Sequence, residues 1–475
     1  MRHPDPEKQK IIEHTVRAGQ GHVFRWWHQI GESGRQRLLT QLSVIDFDEL
    51  RELYLRWKKG LSPHLFEGQL APADVIPLPR TAEEHAAAQA AYRTGEEAIR
   101  RGEVAIFLVA GGQATRLGID APKGTFRITP VKNKSIFEHH AEKIRALSRK
   151  YNVSLPYYIM TSETNHEPTR EFFARNRYFG LQREDVFFFM QDMMPALDFK
   201  GRLVLDEKDH IFTSPNGHGG SITSLKHSGA LDDMKARGIR HIFYFQVDNV
   251  LIKMADPLFI GRHIEKGADM SAKVAPKIAP EEKVGVVCKM GQRTTVIEYS
   301  DLSKEHMYAR NPDGSLAFSA GNLAIHVLDV GFVERLNREK DSLPFHTAEK
   351  AVPYLTADGI LVKPDKKTGL KFEKFVFDAL ASARATAILE VDRDEEFAPI
   401  KNATGADSPD TARELMIKLY AKWLGRAGVN VPRDQEGRPK GAIEISPLFA
   451  LDAEELKRNL PPSFEVTFPL YLGPE

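Results

Sequence analysis

The sequence predicts an α/β fold built on a mostly parallel, doubly wound sheet with helices on both faces. Continuous apolar runs, typical of strands that are covered on both faces, recur along the chain, as at 104–109 and 241–247. Stretches with helical spacing separate these runs, and such alternation is typical of parallel strands joined by crossover helices. The first run leads into Gly111-Gly112, at the end of a strand where α/β proteins bind ligands.

The chain before the sheet is predicted to be helical. From Pro6 to about Gly60 the apolar residues recur at helical spacing. An extended connector at the surface should follow, because four prolines there exclude regular helix: Pro63, Pro72, Pro77 and Pro79. A second helix is expected over the alanine-rich segment 81–101, where the alanines reflect helix propensity.

The remaining elements follow from the same patterns. Further strands are expected at 157–160 and 186–189, with helices around 138–150, 167–176 and 222–237. The more alternating segments 284–287 and 294–298 predict an antiparallel extension of the sheet, and a helix around 410–424 with a β-like tail at 464–472 closes the chain. We therefore predict three domains: a helical N-terminal region with the connector (1–101), a central catalytic domain (102–393) and a small C-terminal α+β domain (394–475).

Composition narrows the classes of function. The 475 residues carry 66 Lys and Arg against 65 Asp and Glu, so no overall field favours nucleic acid or an anionic membrane. A single cysteine, Cys288, excludes intrachain disulfides and multi-cysteine metal sites, and its apolar neighbours predict a core residue. The N-terminus is polar and no apolar run is long enough to span a bilayer, so we expect a cytoplasmic protein.

The segment after the first strand predicts a nucleotide site. The glycines Gly111 and Gly112 would let backbone N–H groups approach a ligand, while Arg116 and Lys123 would supply charge for an oligophosphate. A Walker A loop is excluded because Gly118 comes one residue too late and is followed by Ile119, and the dinucleotide spacing of glycines is absent too. The alternative from these residues alone is a flexible turn with a solvated arginine and lysine.

From these motifs onward the chain resembles the eukaryotic-type UDP-sugar pyrophosphorylases, most closely the UDP-N-acetylhexosamine pyrophosphorylases. The resemblance extends in order over about Gly102–Thr411. The matching segments are 108–118, 122–124, 160–163, 191–196, 215–220, 247–251, 296–300, 320–324, 370–377 and 397–402.

The resemblance implies a reaction and a fold. A sugar 1-phosphate oxygen would attack the α-phosphorus of UTP with Mg²⁺ present, giving a UDP-sugar and pyrophosphate, with N-acetylglucosamine 1-phosphate as the expected sugar. The sheet would be glycosyltransferase-A-like, which is a Rossmann-like arrangement. Positioning and charge neutralisation would carry such a displacement, so no enzyme nucleophile is needed.

The resemblance also assigns residues to the nucleotide. The positions that match the UTP or uridyl site of the family are Val109, Ala110, Gly111, Gly112, Lys123, Gln191, Gly217 and Asp248. Gln191 would read the uracil edge, since an amide offers both a donor and an acceptor; alone it would be a surface glutamine. Asp248 would hold Mg²⁺, with a helix N-cap as the alternative.

Further matches concern the sugar and the phosphates. Glu298 and Asn322 match positions that grip sugar hydroxyls, and Tyr299 lies beside Glu298 in the sequence. Lys401 is expected near the sugar 1-phosphate and Lys371 near the UTP phosphates, although the two roles could be exchanged. Arg116, Lys123 and Lys401 would neutralise charge during the reaction.

Two residues depart from the family pattern. Ala114 replaces a glycine, and its methyl group could narrow the loop around the phosphates. His218 replaces an asparagine beside the sugar, which leaves glucose or galactose 1-phosphate as alternative substrates; a catalytic base is not expected, because a phosphate monoester is already ionised. A catalytically silent sugar-nucleotide-binding protein is the alternative of another class, and the oligomeric state stays open.

Two other clusters are predicted to have no catalytic role. His139 and His140 are adjacent on a helix and lack the spacing of metal ligands, so we interpret them as surface or packing residues. The acidic run 392–396 is interpreted as a solvated loop.

Overall fold

The structure, a computed structural model, describes residues 3–61, 69–339 and 342–474. Pro63 of the predicted connector lies outside these residues. Within them, every helix is too short or too polar to cross a membrane.

Helices occur throughout the described chain. In order, the α-helices are α1 (Pro6–Arg17), α2 (Glu32–Ser43), α3 (Phe47–Lys58), α4 (Ala82–Arg100), α5 (Ile136–Tyr151), α6 (His166–Arg175), α7 (Ser221–His227), α8 (Ala230–Ala236), α9 (Pro257–Glu265), α10 (Lys304–Tyr308), α11 (Val330–Arg338), α12 (Arg393–Glu396), α13 (Pro409–Arg426) and α14 (Ala453–Asn459).

Strands alternate with these helices. They are β1 (Leu70–Pro72), β2 (Val75–Ile76), β3 (Val104–Val109), β4 (Tyr157–Thr161), β5 (Val186–Met190), β6 (Met193–Pro195), β7 (Leu197–Asp198), β8 (Leu205–Glu207), β9 (His210–Ile211), β10 (Thr213–Pro215), β11 (His241–Gln246), β12 (Met270–Pro276), β13 (Val286–Met290), β14 (Arg293–Ile297), β15 (Ala320–Asp329), β16 (His346–Lys350), β17 (Tyr354–Leu355), β18 (Leu361–Val362), β19 (Gly369–Glu373), β20 (Thr386–Glu390), β21 (Ile443–Ile445) and β22 (Leu470–Leu472).

The chain forms two compact units, each assembled from separate stretches. We call them the small unit (Met1–Phe66, Gln191–Ser221 and Leu343–Asp378) and the large unit (Glu67–Met190, Ile222–Ser342 and Ala379–Glu475). This grouping differs from the three consecutive domains predicted at 1–101, 102–393 and 394–475, because hydrophobic contacts join stretches that are distant in the sequence.

A mixed sheet forms the centre of the large unit. Its main path is β2-β20-β12-β15-β11-β3-β4-β5, and every neighbouring pair on it is parallel except the two pairs that involve β15. The sequence prediction of a mostly parallel α/β sheet is therefore confirmed. Strand order reverses between β3 and β11, and ligands of open α/β sheets bind at such a reversal, outside the carboxyl ends of the strands.

The strand β3 shows why the prediction succeeded here. It begins at Val104 and ends at Val109, as predicted, and its first five residues are buried. The antiparallel extension is confirmed as well, since β13 pairs antiparallel with both β14 and β15. In contrast, the helix predicted over 222–237 is broken into α7 and α8, because Gly229 adopts a left-handed φ of 79° between them.

The predicted connector is extended but does not simply cross the surface. Its strand β1 pairs with β13 and its strand β2 pairs with β20, so both join the central sheet of the large unit. The following helix α4 packs closely against α9, because a Cβ at Gly95 would lie 1.9 Å from the Pro257 carbonyl oxygen and one at Gly261 would lie 1.7 Å from that of Ala91. Small residues in α4 therefore serve packing as well as helix propensity.

The C-terminal segment belongs to the core of the large unit. Buried residues of α13 and β21, such as Met416, Leu419 and Ile443, lie in the same hydrophobic cluster as Ile106 and Leu108 of β3. The segment 394–475, predicted as a separate C-terminal domain, therefore shares a hydrophobic core with the central sheet.

The small unit has its own core. Helices α1–α3 and the strands β7 and β19 bury a cluster that includes Trp26, Trp27, Leu38, Leu370 and Phe372. Helix α2 also holds a strand edge, since Gln41 accepts a hydrogen bond from the Ile211 N–H (2.8 Å) and donates one to its carbonyl (3.0 Å). Within this unit the sheet β16-β19-β7 positions the residues that follow β19.

Candidate active site

In the large unit, the site begins where β3 and β11 end. The two strands are parallel, with Val109 paired to Gln246, and the Val247 N–H donates to the Val109 carbonyl (3.1 Å). The glycine loop after β3 and Asp248 after β11 therefore leave the sheet side by side. The sequence placed both at strand ends, and the register shows that these ends are neighbours.

The side chain of Asn165 fixes the conformation of the glycine loop, residues 110–112. This fully buried amide donates to the carbonyls of Ala110 (2.9 Å) and Gly112 (3.3 Å). Among the described residues, the N–H groups of Gly111 and Gly112 donate no hydrogen bond. Unpaired backbone donors at the end of a strand suit an anion, and a Cβ at Gly112 would meet no atom within 4 Å, so the space above the loop is open.

Asn165 is a functional residue that sequence reasoning missed. It contacts residues more than fifty positions away, and no local pattern of the sequence links it to them. The asparagine itself is the one available signal, because its amide can hold two carbonyls at once.

The structure corrects the expectation for Ala114. Its methyl group is fully buried, whereas the expectation was that it narrows the loop around the phosphates. The backbone turns at this residue, with the Ala114 N–H donating to the Ala121 carbonyl (2.9 Å), and so directs the side chain into the protein. Arg116 on the same loop is exposed, and no described residue pairs with its guanidinium.

Lys123, Asp248 and Ile400 form a connected group. The ammonium of Lys123 lies 3.9 Å from a carboxylate oxygen of Asp248 and donates to the Ile400 carbonyl (3.3 Å), and the Ile400 N–H donates to the Asp248 carbonyl (3.1 Å). The side chains of Lys123 and Asp248 are 19% and 13% exposed, so both face a partly enclosed space. Gly124 sets the position of Lys123, because a Cβ there would lie 2.2 Å from the Phe137 ring.

The segment after β11 is tied to the residues before Lys401 by a second asparagine. Asn249 is buried, donates to the Glu396 carbonyl (2.7 Å) and accepts from the Ala398 N–H (3.0 Å). The helix N-cap considered for Asp248 is wrong, since the turn after it contains no helix before α9, which Asp256 caps. Lys401 is exposed, with its ammonium 3.6 Å from Asp407, and it directly follows Ile400 of the connected group.

The predicted sugar-binding residues of the large unit lie around Gly285. Glu298 Oε1 would lie 3.2 Å from a Cβ at Gly285, and the carbonyl of Gly285 accepts from the Asn322 N–H (2.8 Å). Asn322 precedes an irregularity of β15, where Ala324 has a φ of 55°, and such bulges re-aim side chains beside functional sites. Tyr299, next to Glu298, is 39% exposed.

The small unit holds the other predicted residues. Gln191 is 8% exposed, and its side-chain amide has no hydrogen-bond partner among the residues that the structure describes. A nearly buried amide with unused donors and acceptors is available to a polar ligand.

A tight turn of the small unit, Asn216–Gly220, packs on the segment after β19. Lys374 donates its N–H to the Asn216 carbonyl (2.7 Å) and accepts from the Gly219 N–H (2.8 Å). Gly217 has a φ of 82°, and a Cβ at this position would lie 2.4 Å from the Lys374 carbonyl oxygen. Glycine is therefore required here by conformation and by packing.

The geometry of this turn fixes the tautomer of His218. Its Nδ1 accepts from the Val376 N–H (3.2 Å), and the ring stacks on Phe375 at 5.3 Å. Burial and the nearby His346 lower the pKa of His218 to about 4. The ring is thus neutral at pH 7, and its proton is on Nε2, which is left as a donor.

Lys371, the lysine predicted near the UTP phosphates, has a different environment from His218. It lies within β19, its ammonium is 5.0 Å from the centre of the Phe212 ring, and burial lowers its pKa. In the segment 371–376, the contacts to the Asn216–Gly220 turn come from the backbone of Lys374 and Val376. The role of Lys371 toward phosphate stays a prediction.

The predictions for residues outside the site are mostly confirmed. Cys288 is fully buried, and burial raises its pKa to about 12. His139 and His140 are buried packing residues, and burial lowers the pKa of His140 to about 3. The acidic run 392–396 is not a solvated loop, since it forms α12 and its Glu396 is buried in an ion pair with Lys273.

Comparison with known proteins shows which family the chain belongs to. The family model described as UTP–glucose-1-phosphate uridylyltransferase matches residues 69–436. The chain belongs to this family. It is 38% identical to UDP-N-acetylhexosamine pyrophosphorylase-like protein 1 of Xenopus tropicalis, with 96% of this chain and 94% of that protein covered.

Two further relatives are named as UDP-N-acetylglucosamine pyrophosphorylases. The UDP-N-acetylglucosamine pyrophosphorylase of Saccharomyces cerevisiae is 35% identical, with 89% of this chain and 92% of that protein covered. A solved structure of the uridine diphosphate N-acetylglucosamine pyrophosphorylase of Trypanosoma brucei, in complex with an inhibitor, superposes with a TM-score of 0.81 at 27% identity and covers 100% of this chain and 99% of that one. The predicted membership of the UDP-sugar pyrophosphorylases is therefore confirmed, and with it the nucleotidyltransferase class.

Proposed function

We propose that the protein transfers a uridylyl group from UTP to N-acetylglucosamine 1-phosphate, releasing pyrophosphate and forming UDP-N-acetylglucosamine. The observation that carries the proposal is the connected group of Lys123, Asp248 and Ile400 beside the unpaired N–H groups of Gly111 and Gly112. Family membership names the reaction, and this arrangement supplies the donors and charges that the reaction needs.

The large unit would hold the phosphates. Val109, Ala110, Gly111 and Gly112 provide the end of β3 and its free backbone donors, which suit the oxygens of UTP. Lys123 would place a point charge beside them, and the exposed Arg116 could reach them as a bidentate donor.

The sugar 1-phosphate would lie against Lys401. This lysine follows Ile400, whose carbonyl accepts from Lys123, so the Lys123 ammonium lies against the residue that precedes Lys401. Two anions must approach one another for the displacement, and cations on both sides would lower their repulsion. The attacking phosphate oxygen is already ionised, so no base is needed.

Asp248 fits a magnesium ion. Mg²⁺ commonly takes one or two carboxylates and completes its shell with water and substrate phosphates, and the partly exposed carboxylate of Asp248 lies at the end of β11 beside the free N–H groups. Within the described ranges no group of three or more His, Cys, Asp or Glu could form an all-protein metal site, which agrees with a shell shared with UTP. When bound, Mg²⁺ would neutralise charge on the phosphates.

Specificity for uracil and for the sugar is assigned to a set of polar groups. Gln191 would read the uracil edge, and the backbone of Gly217, held in place by its packing on Lys374, would contact the nucleotide. Glu298 and Asn322, joined through Gly285, would bind sugar hydroxyls, with Tyr299 beside them. His218 would donate from Nε2 to the sugar, where the family usually presents an asparagine.

We also propose that the large unit has the glycosyltransferase-A-like form of the α/β sheet. Support comes from the single antiparallel strand β15 inserted between β11 and β12 on the main path. A cytoplasmic location is proposed as well, because a single buried cysteine suits a reducing compartment.

The proposal is tested by pyrophosphate release from UTP and Mg²⁺ with a panel of sugar 1-phosphates. The panel contains N-acetylglucosamine, N-acetylgalactosamine, glucose and galactose 1-phosphates, each assayed with and without EDTA. We expect turnover with N-acetylglucosamine 1-phosphate and its loss in EDTA. Preferred turnover of glucose or galactose 1-phosphate would make His218 a specificity switch, and UDP-sugar binding without any turnover would leave a silent binding protein.

A further inference from the structure

The large unit contains a cavity of about 410 Å³, which is within the range of small-molecule sites. Its walls come from α5, the turn 250–257, the helices α12 and α13, and the segment 445–454. None of the proposed active-site residues lines it. We call it the C-terminal cavity.

Aromatic rings form much of this wall. Tyr92, Tyr151, Tyr420 and Trp423 line the cavity together with aliphatic residues such as Leu147. Such a lining favours an organic ligand with a flat or apolar body over a bare inorganic ion.

The acids that line the cavity are largely satisfied. Glu395 accepts from Lys422 (2.6 Å) and Arg426 (3.0 Å), Glu396 pairs with Lys273, and Asp452 caps α14 by accepting from the Glu455 N–H (2.7 Å). The remaining acid, Glu454, is exposed at the rim.

Four cations line the wall, and two of them are paired: Lys253 with Asp256 (3.5 Å) and Arg426 with Glu395. The two lysines of α5 are less satisfied. The ammonium of Lys150 lies 3.9 Å from Asp452, its only carboxylate within ion-pair distance in the described chain, and Lys143 donates only to carbonyls of the turn after β11. Burial lowers the pKa of Lys143 to about 7, so Lys150 carries the fuller charge of the two. In a wall whose acids are largely paired, these two lysines of α5 can donate to an anion.

The same walls continue into the active site. Lys143 donates to the carbonyls of Val250 and Ile252, both at 2.8 Å, and these residues lie two and four positions after Asp248. Glu396 of the wall is held by Asn249 through its carbonyl and lies five residues before Lys401. A ligand that moves either segment would therefore move Asp248 or Lys401.

We propose that the C-terminal cavity binds a small organic anion with an aromatic or apolar body, and that its occupancy changes the affinity of the active site for UTP. The binding site stands independently, whereas the coupling rests on the proposed function.

The test uses the full chain and 8-anilinonaphthalene-1-sulfonate, an aromatic sulfonate whose fluorescence rises in apolar sites. We expect saturable binding that persists in saturating UTP. Lys150→Met should weaken it by about tenfold, the cost of one lost charged hydrogen bond. Ala453→Phe, which fills the cavity from α14, should abolish it, and Lys418→Met, an exposed lysine of α13 outside the cavity, should leave it unchanged.

Calorimetric titration of UTP completes the test. With the sulfonate bound, the Kd for UTP should change by about fivefold or more, and this change should be absent in Lys150→Met at the same sulfonate concentration. Three results would overturn the site: the sulfonate does not bind, it binds equally well to Lys150→Met and Ala453→Phe, or UTP displaces it completely. An unchanged Kd for UTP would overturn the coupling, and failure of UTP to bind at all would reject the proposed function while the cavity stands. If Ala453→Phe does not fold, Lys150→Met alone decides.

Discussion

Two glycine-rich turns, one in each unit, look alike in the sequence and differ in the structure. In the large unit, a Cβ at Gly112 would meet nothing within 4 Å. In the small unit, a Cβ at Gly219 would lie 2.5 Å from the backbone of Lys374 and Phe375. The first glycine borders empty space and the second borders packed backbone.

The difference separates two uses of glycine. At Gly112 the missing side chain leaves room for a ligand to reach backbone donors, so a substitution there should affect binding. At Gly219 it lets two chain segments touch, so a substitution there should affect stability. A glycine motif alone does not distinguish these cases, whereas the distance from a built Cβ to its neighbours does.

The largest effect is expected for Gly219→Ala. The added methyl overlaps backbone, which cannot rotate away as a side chain can, so the free energy of unfolding should fall by about 3 kcal/mol. Urea denaturation measures it, with Gly425→Ala on α13, where a Cβ would meet nothing, as the control. Wild-type stability in Gly219→Ala would show that the turn is not packed as described.

The second effect tests the burial of His218 in the same turn. Since its pKa is lowered to about 4, the unfolded chain binds more protons than the folded chain between about pH 4 and 6.5, and stability falls as the pH is lowered through this window. From pH 7 to 4.5 the wild type should lose about 1 to 2 kcal/mol more than His218→Asn, as measured by urea denaturation of both. Equal losses would contradict a neutral, partly buried ring.

Gly112→Ala should show the opposite behaviour to Gly219→Ala. Stability should stay within about 0.5 kcal/mol of wild type, while the Kd for UTP rises by about tenfold, because the methyl group blocks an approach to the free N–H groups. Calorimetric titration of UTP and urea denaturation check the two parts. A destabilised variant with normal UTP affinity would reverse the assignment of the two turns.

The smallest effect concerns the sugar. His218→Asn restores the residue that the family usually presents, and the ratio of kcat/KM for N-acetylglucosamine 1-phosphate over glucose 1-phosphate should rise severalfold, about the value of one neutral hydrogen bond. The pyrophosphate assay on both sugars gives the ratio. An unchanged ratio would remove His218 from sugar recognition.

Local patterns predicted the strand β3 and the helix α13, because long apolar runs and helical spacing are properties of neighbouring residues. They also proposed Lys123 for the phosphates of a nucleotide, whereas the family resemblance assigned Asp248, and both roles stay predictions. Asn165 and Asn249 could not be found in this way, since each acts on backbone groups that are distant along the chain.

The same limit explains two corrections. Whether the methyl of Ala114 points to the ligand or into the protein depends on a backbone turn that composition does not encode. The separate C-terminal domain was predicted from a change to polar composition near residue 394, whereas the apolar residues of α13 and β21 join the core of the large unit. Tertiary packing decided both.

The central claim, that the ends of β3 and β11 form the UTP site, is tested most directly by turnover of Lys123→Ala beside Lys366→Ala, an exposed lysine of the small unit. With UTP, Mg²⁺ and N-acetylglucosamine 1-phosphate, we predict that pyrophosphate release falls by at least about tenfold in Lys123→Ala, with unchanged thermal unfolding, and stays at the wild-type rate in Lys366→Ala. Full activity of a folded Lys123→Ala protein would contradict the account.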